Sequence, residues 1–176
     1  MHIIIKYYET PAGELIIGSY GNQLCLCDWR YRKMRASIDQ RIQLGLASYY
    51  QLGDSEVIQN TINQLEAYFD KQRTVFDIPL KLVGTTFQQK VWQQLMEIPY
   101  GKTCSYLDLS ITLGNQKATR AVATANGANG ISIIVPCHRV IGANGKLVGY
   151  AGGLAAKSKL LNLEKANADA KQLRLF

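Results

Sequence analysis

The sequence predicts a mixed α+β (α/β) protein built from two units, and three observations lead to this fold class. Short apolar segments separated by turn residues open the chain, one long amphipathic helical pattern follows them, and short helical patterns broken by glycines fill the rest. We expect an N-terminal α/β or α+β unit at 1–78, an extended linker at 79–84 and a helical C-terminal unit at 85–176.

The N-terminal unit is predicted to begin as an antiparallel meander. Three segments rich in Ile, Leu and Tyr lie at 2–8, 15–20 and 24–29, and Pro11-Ala12-Gly13 and Gly21-Asn22 separate them as turns. This half should support the fold and shield the C-terminal unit.

One clear helix is predicted for the N-terminal unit after a basic, polar turn at 31–35 and a weak helix. It should run from Asp54, a suitable N-cap, through about Lys71. Its apolar residues recur at helical spacing, namely Ile58, Ile62, Leu65 and Phe69.

The C-terminal unit is predicted to be a series of short helices, at 86–97, 105–113, 117–126 and 156–165. The second and third are joined by a glycine-containing turn, which is the signature of a helix-turn-helix. The third carries Lys117 and Arg120 beside four alanines, so it could approach a partner closely, although a packed core helix is the alternative.

The net charge of +7 lies entirely in the second half of the chain. Residues 1–84 carry nine basic and nine acidic residues, which leaves eleven basic and four acidic residues in 85–176. A basic half beside a neutral one favours a polyanion such as nucleic acid as partner, the alternative being a solubilising surface. No apolar run approaches a membrane span and the start lacks signal-peptide features, so we expect a cytoplasmic protein without a membrane partner.

Four cysteines, at 25, 27, 104 and 137, are too few for a disulfide scaffold and fit a reducing compartment. Cys25 and Cys27 are expected on one face of a strand and could join His2 in a zinc site. Because a fourth ligand is not evident, buried apolar thiols and no metal are the expectation.

Cys137 and His138 are the candidate reactive pair. Pro136 directly precedes them, after the apolar run 131–135. The thiolate is the attacking form of cysteine, and a free thiol has a pKa of about 8.5, so an acceptor nearby is needed to raise the thiolate fraction. A buried, inert cysteine beside an incidental histidine is an equal alternative for the pair alone.

The surroundings favour a nucleophile that acts on a base. A basic helix-turn-helix precedes the pair, and the glycine-rich stretch 149–153 follows it, with Tyr150 offering a flat face for stacking. Because a target atom inside a duplex is out of reach, such a site would need base flipping.

These motifs resemble the O6-alkylguanine-DNA alkyltransferases (methylated-DNA–protein-cysteine methyltransferases). The similarity runs almost continuously through 84–164, whereas the N-terminal half is similar only through Thr10-Pro11-Ala12-Gly13 and its strand pattern. The similar pieces are Gly84-Thr85-Thr86-Phe87-Gln88, Val91-Trp92, Ile98-Pro99-Tyr100-Gly101, Ser105-Tyr106, Arg120-Ala121-Val122, Asn129, 133–142 and 149–154.

The resemblance implies an N-terminal ribonuclease-H-like α/β domain and a C-terminal winged helix-turn-helix domain. It implies direct-reversal DNA repair, in which the methyl group of O6-methylguanine, and to a lesser degree O4-methylthymine, moves to Cys137 in a single-turnover suicide reaction. No cofactor and no metal are implied. The partner would be double-stranded DNA, bound as a monomer through the minor groove with a flipped base.

The resemblance also assigns roles to single residues. His138 would act through water as the base, Glu164 would orient it, and Tyr106 would donate its hydroxyl to the departing guanine. Taken without the resemblance, Glu164 could be a surface acid and Tyr106 a core residue.

For DNA binding, the resemblance makes Arg120 the intercalating finger and Asn129 the hinge between recognition helix and active-site strand, with Lys117 on the same helix as Arg120. Four residues would form the base pocket: the Tyr150 ring, the Ala151 N–H facing O6, the Val140 carbonyl beside that of Cys137, and Lys157 as a polarising cation.

The chain departs from the family pattern at Gly130, where proline is usual, and at Gln116, Thr119 and Ala123 in the recognition segment. These departures bear on affinity and substrate range. Two other functions compete: a non-enzymatic lesion sensor, which would lack the acceptor cysteine, and a helix-turn-helix transcription regulator, which would read the major groove. A Cys-His-Glu hydrolase is a weaker alternative, since nothing indicates a peptide or ester cleft.

Overall fold

The computed structural model describes residues 1–173, with side chains through Lys165, so residues 174–176 of the predicted C-terminal unit lie outside the described part. Its strands are β1 (Ile3–Thr10), β2 (Gly13–Tyr20), β3 (Gln23–Trp29), β4 (Tyr50–Leu52), β5 (Cys104–Ser105) and β6 (Val140–Ile141). Its helices are α1 (Arg35–Gly45), α2 (Glu56–Phe69), α3 (Thr86–Met96), α4 (Tyr106–Thr112), α5 (Thr119–Gly127) and α6 (Leu154–Leu173).

The N-terminal sheet has the order β3-β2-β1-β4. β1 pairs antiparallel with β2, β2 pairs antiparallel with β3, and β4 adds to β1 in parallel. The predicted meander is therefore present, and the register between β2 and β3 shifts at Gly18/Ser19. With α1 and α2 beside the sheet, the predicted mixed fold class is confirmed.

The predicted N-cap of α2 was wrong by one residue. Ser55 is extended, and its hydroxyl accepts a hydrogen bond from the Ile58 N–H at 3.2 Å, while Asp54 accepts one from the Ser55 N–H at 2.8 Å. Both residue types can cap a helix, so the sequence alone did not decide between two adjacent candidates.

Capping residues fix the starts of the C-terminal helices. Thr85 and Gln88 form a capping box at α3, and Ser105 and Asp108 form one at α4. A 3-10 turn at Gln116–Ala118 leads into α5, which completes the predicted helix-turn-helix. The last helix, α6, is longer at both ends than the predicted 156–165.

One hydrophobic core joins the two halves of the chain. It contains Leu15 and Tyr68 from the N-terminal half together with Trp92, Val135 and Leu160 from the C-terminal half. The predicted linker lies along β3, because the Leu24 N–H donates to the Pro79 carbonyl at 2.8 Å and the Lys81 N–H donates to the Leu24 carbonyl at 2.8 Å. The domain boundary at 79–84 stays a prediction.

The segment 130–132 also attaches to β3. The Cys27 N–H donates to the Gly130 carbonyl at 2.9 Å, and the Ser132 N–H donates to the Cys27 carbonyl at 2.6 Å. The segment that leads to Cys137 therefore rests on the N-terminal sheet. Among the described residues, no helix is both long and apolar enough to cross a membrane.

Candidate active site

Cys137 opens a 3-10 turn, Cys137–Arg139, at the end of a tightly bent segment. Ile133 has a φ of 70°, and the Ile134 N–H donates to the Ser132 carbonyl across it at 2.9 Å. A positive φ is strained for a β-branched residue, so the surrounding contacts must hold this backbone in place. A second tight turn follows at Pro136, where the Cys137 N–H donates to the Val135 carbonyl at 2.8 Å.

Asn129 holds this bent segment from its side chain. Its amide nitrogen lies 2.9 Å from the Val135 carbonyl and 3.2 Å from Cys137 Sγ, and its amide oxygen accepts from the Ile131 N–H at 2.9 Å. Asn129 follows Ala128, the C-cap of α5, and is buried. The residue predicted as hinge is therefore hydrogen bonded to the thiol itself, while its role on DNA stays a prediction.

A buried ionic cluster with three members from the N-terminal half and one from the C-terminal half braces the same loop, and we call it the aspartate cluster: Asp28, Arg32, Arg35 and Ser132. Asp28 accepts hydrogen bonds from Arg32 at 3.0 Å, from Arg35 at 2.9 Å and from the Ser132 hydroxyl at 2.9 Å. Arg32 also donates to the backbone carbonyls of Asn129, at 3.0 Å, and Gly127. The cluster ties β3 to the loop that carries Asn129.

The aspartate cluster was not predicted from the sequence. The sequence does contain an indication of a buried ion pair, because Asp28 lies next to the end of a mostly apolar strand and arginines follow it four and seven positions later. A buried carboxylate needs such partners. The partner contributed by the C-terminal half, Ser132, lies 104 residues further along the chain and could not be identified from spacing.

A second buried cluster, which we call the glutamate cluster, consists of Tyr68, His138, Arg139 and Glu164. One carboxylate oxygen of Glu164, Oε1, accepts from His138 Nε2 at 2.7 Å, from Arg139 Nη2 at 3.0 Å and from the Tyr68 hydroxyl at 2.8 Å. The other oxygen, Oε2, accepts from Arg139 Nε at 3.0 Å and from the Gly101 N–H at 3.4 Å. His138 and Glu164, which only the family resemblance paired, are thus in direct contact, whereas the contacts of Tyr68 and Arg139 with Glu164 were not predicted.

The protonation states in this cluster follow from its contacts. Burial raises the pKa of Glu164, but this effect is outweighed by the hydrogen bond from His138, by the charge of that ring once acid protonates it, and by the hydrogen bonds and charge of Arg139, which together lower the pKa to about 2. Burial lowers the pKa of His138 against the opposing effect of Glu164, which favours the neutral ring near pH 7. With Nε2 donating to Glu164, the buried Nδ1 is left as the acceptor, and it has no hydrogen-bond partner among the described residues.

Cys137 is a buried thiol in its resting form. Burial raises its pKa, although the hydrogen bond from Asn129 and the positive charges of Arg32 and Lys157 work in the opposite direction. A nucleophile in this position therefore needs a base to take its proton. The adjacent His138 is the group suited to that task.

Cys137 faces a cavity of about 780 Å³ between the two halves of the chain. Three predicted site residues line it with Cys137, namely Tyr106, Tyr150 and Ala151. Gly152 also lines it and lies so close to Trp29 that an added Cβ would come within 2.5 Å of the indole, which explains the glycine. The remaining lining residues are Ala12, Gly13, Glu14, Trp29, Tyr31, Arg32, Lys33, Met34, Ala123, Asn126, Gly127, Gly149 and Gly153.

Val140 and Lys157 are fully buried outside the cavity lining. The Lys157 ammonium donates to the Val140 carbonyl at 2.6 Å and to the Val148 carbonyl at 3.0 Å. Burial lowers the pKa of Lys157. The Val140 carbonyl is therefore already hydrogen bonded, and its predicted contact with a base would need the second lone pair.

Lys117 and Arg120 lie apart from the cavity. They line a shallow groove together with Phe87, Gln88 and Thr124, between the start of α3 and α5. Lys117 and Arg120 thus lie on the groove between α3 and α5 and not on the cavity that Cys137 faces, and their contacts with DNA stay a prediction.

The disfavoured alternative, in which His2, Cys25 and Cys27 would meet, is not formed. His2 packs against Tyr49 in a tilted arrangement with ring centroids 4.4 Å apart. The two cysteines belong to different hydrophobic clusters, since a register shift interrupts the pairing of β2 with β3. The prediction that both thiols share one face was wrong for this reason. Within the described residues, no three His, Cys, Asp or Glu side chains surround a possible metal position.

Comparisons with known proteins match both halves of the chain. The model of the 6-O-methylguanine DNA methyltransferase ribonuclease-like domain matches residues 3–82, and that of the DNA-binding domain of the same protein matches residues 86–166. The predicted ribonuclease-like and helix-turn-helix architecture is confirmed by these matches.

Named relatives agree with the family models. The methylated-DNA–protein-cysteine methyltransferase of Mycobacterium tuberculosis (strain H37Rv) is 53% identical over 171 residues, which are 96% of this chain and 95% of the relative. That of Methanosarcina acetivorans is 54% identical over 158 residues, which are 89% of this chain and 95% of the relative.

Solved structures support the same assignment. The crystal structure of Mycobacterium tuberculosis OGT in complex with DNA superposes with a TM-score of 0.81 and 40% identity, over 95% of this chain and 94% of that chain. The resemblance inferred from the motifs is thereby confirmed, and this chain belongs to the methylated-DNA–protein-cysteine methyltransferase family.

Proposed function

We propose that this protein repairs alkylated DNA by moving the methyl group of O6-methylguanine to Cys137 in one irreversible turnover, with O4-methylthymine as a lesser substrate. The observation that carries the proposal is the position of Cys137, which faces a cavity large enough to admit an extruded base while the adjacent His138 is hydrogen bonded to Glu164. Family membership supports it independently.

The thiol must first lose its proton, because burial raises the pKa of Cys137. The proton moves through a water molecule to Nδ1 of His138, whose lone pair is free of partners within the described residues. Glu164 stays ionised and stabilises the charged ring through Nε2.

Methyl transfer then forms the Sγ–C bond and breaks the C–O6 bond of the lesion. The electron pair of the broken bond goes to the guanine, which takes a proton from the Tyr106 hydroxyl, and solvent restores that proton. Burial and the charge of Cys137 raise the pKa of Tyr106, so the phenol is protonated and able to donate. The product is a thioether without a good leaving group, which limits the reaction to one methyl group per monomer.

The lesion reaches Cys137 as a flipped base from the minor groove of double-stranded DNA. Lys117 and Arg120 bind the duplex, with the Arg120 guanidinium filling the gap in the stack and Asn129 acting as the hinge. Flipping is needed because a base is inaccessible inside a duplex, and because Lys117 and Arg120 do not line the cavity that Cys137 faces.

In the pocket, Tyr150 stacks on the extruded base and the Ala151 N–H faces O6. The carbonyls of Cys137 and Val140 receive the exocyclic amine, and Lys157 polarises the site through its hydrogen bond to Val140. Because the acceptor thiol must remain reduced, we place the protein in the cytoplasm.

The test uses duplex DNA that carries O6-methylguanine with a labelled methyl group, mixed with an excess of protein, denatured and mapped by peptide. We expect label on Cys137 at no more than one methyl per chain, none in Cys137→Ala, and full labelling in Cys104→Ala, which removes the partly exposed thiol instead. Tight lesion binding with the label left on DNA would identify a lesion sensor. No preference for the lesion would leave only a DNA-binding protein.

A further inference from the structure

Tyr68 connects a helix of the N-terminal half to the proton path proposed above. It lies in α2, has no exposed surface, and its hydroxyl donates to Glu164 Oε1 at 2.8 Å across 96 residues of sequence. Phe69, Phe76 and Tyr100 pack around its ring, with centroids 5.2, 5.5 and 6.2 Å away. The ring is therefore held so that its hydroxyl points at one carboxylate oxygen.

That oxygen is the one that accepts from His138 Nε2. Tyr68 and His138 thus share a single acceptor, while Arg139 bridges both oxygens of the carboxylate. An added donor withdraws charge from the oxygen and fixes its position, so it changes how strongly Glu164 attracts a proton on the His138 ring. The hydroxyl is a permanent donor here, because burial first and the Glu164 carboxylate second raise the pKa of Tyr68 well above its usual value.

We propose that Tyr68 is a positioning residue for alkyl transfer, whose hydroxyl holds Glu164 against His138 and tunes the basicity of that histidine. The inference rests on the proposed function of Cys137 and His138. It makes the N-terminal half a contributor to the reaction as well as a support for the fold.

The groups around His138 and Glu164 determine what Tyr68→Phe should change. Without the hydroxyl, Glu164 Oε1 carries more negative charge and His138 holds a proton more strongly. The acidic limb of the alkyl-transfer rate should therefore move to higher pH, by about one unit. The titratable and charged groups facing the pair are Cys137, Arg139, Tyr150, Lys157 and Tyr68 itself.

The experiment measures two quantities in the full chain, the single-turnover rate on O6-methylguanine duplex as a function of pH and the titration of His138 by NMR. His2→Gln makes the spectrum unambiguous, since the chain has two histidines. We expect Tyr68→Phe to move both midpoints upward together and to slow transfer about tenfold below neutral pH.

A matched control is Tyr8→Phe, which removes another tyrosine–glutamate hydrogen bond to α2, from Tyr8 to Glu66 at 3.0 Å. Loss of stability in Tyr68→Phe with both midpoints unchanged would overturn the proposal and leave Tyr68 a packing residue. Combining Tyr68→Phe with Glu164→Gln should add no further slowing, since Tyr68 acts through that carboxylate. The histidine titration is independent of methyl transfer, so an unlabelled Cys137 would contradict the proposed function without deciding the role of Tyr68.

Discussion

Asp28 and Glu164 are the two acidic residues with no exposed surface in the described structure, and their hydrogen-bond partners differ in kind. Asp28 belongs to β3 and accepts a hydrogen bond from Arg32. Arg32 also donates to backbone carbonyls of the loop that contains Asn129. Glu164 belongs to α6, and its partners include the ring of His138. The first carboxylate organises a backbone conformation, whereas the second is in contact with a group that can move a proton.

Both clusters join the two halves of the chain, but in opposite directions. Asp28 in the N-terminal half receives Ser132 from the C-terminal half, and Glu164 in the C-terminal half receives Tyr68 from the N-terminal half. A shielding domain would need neither contact. The neutral half of the sequence is therefore built into the surroundings of Cys137 at two points.

The two clusters should differ most in the alkyl-transfer rate when the carboxylate is replaced by its amide, and Glu164→Gln should have the largest effect. The neutral amide can donate to His138 Nε2, which moves the ring proton to Nδ1 and removes the acceptor that Cys137 needs. We expect alkyl transfer to slow by about 100-fold or more, since a general base contributes about that much. Arg139 also loses its buried counter-charge, which should cost about 3–5 kcal/mol of unfolding free energy. Single-turnover kinetics and urea unfolding measure the two effects, and a normal rate in the folded variant would contradict the proposed proton path.

The second largest effect should be the loss of stability in acid, when Glu164 is protonated and the glutamate cluster is weakened. The folded pKa of Glu164 lies at about 2, below the usual value of 4.5, so its stabilisation is fully present above about pH 4.5 and is lost as the pH falls toward 2. This linkage corresponds to about 3 kcal/mol of unfolding free energy. Urea unfolding between pH 5 and 2.5 should show a steeper loss in the natural sequence than in Glu164→Gln. Parallel curves would mean that another group is responsible.

How much of this site the sequence could predict depends on which cluster is considered. The local motif at 136–140 indicated Cys137 and His138, and the resemblance supplied Glu164, because the similarity is continuous through that half of the chain. Tyr68, Asp28 and Arg32 lie in the half where the similarity was only loose. Their partners are 96 to 104 residues away, and contacts over such separations depend on how the core packs, which no local pattern encodes.

The bent segment and the β2–β3 register shift were missed for the same physical reason. The run 131–135 is rich in β-branched residues, which favour extended backbone, yet Ile133 adopts a positive φ because Asn129 and β3 hold the backbone on both sides. Tertiary contacts overrode local preference four residues before the nucleophile, and strain of this kind is commonly found near functional sites in proteins.

Asp28→Asn should therefore affect stability more than chemistry, and it is the smallest of the expected effects. Arg32 and Arg35 would lose their shared buried carboxylate, but Arg35 keeps Asp39 and Arg32 keeps two backbone carbonyls, so we expect a loss of about 2–3 kcal/mol of unfolding free energy. Since His138 and Glu164 are untouched, alkyl transfer in the folded variant should remain within about tenfold of the natural rate. Urea unfolding and single-turnover kinetics on the same preparation give both values. If Asp28→Asn slowed transfer as much as Glu164→Gln, the backbone around Asn129 would be as important to the reaction as the proton path, and the distinction between the two carboxylates would not hold.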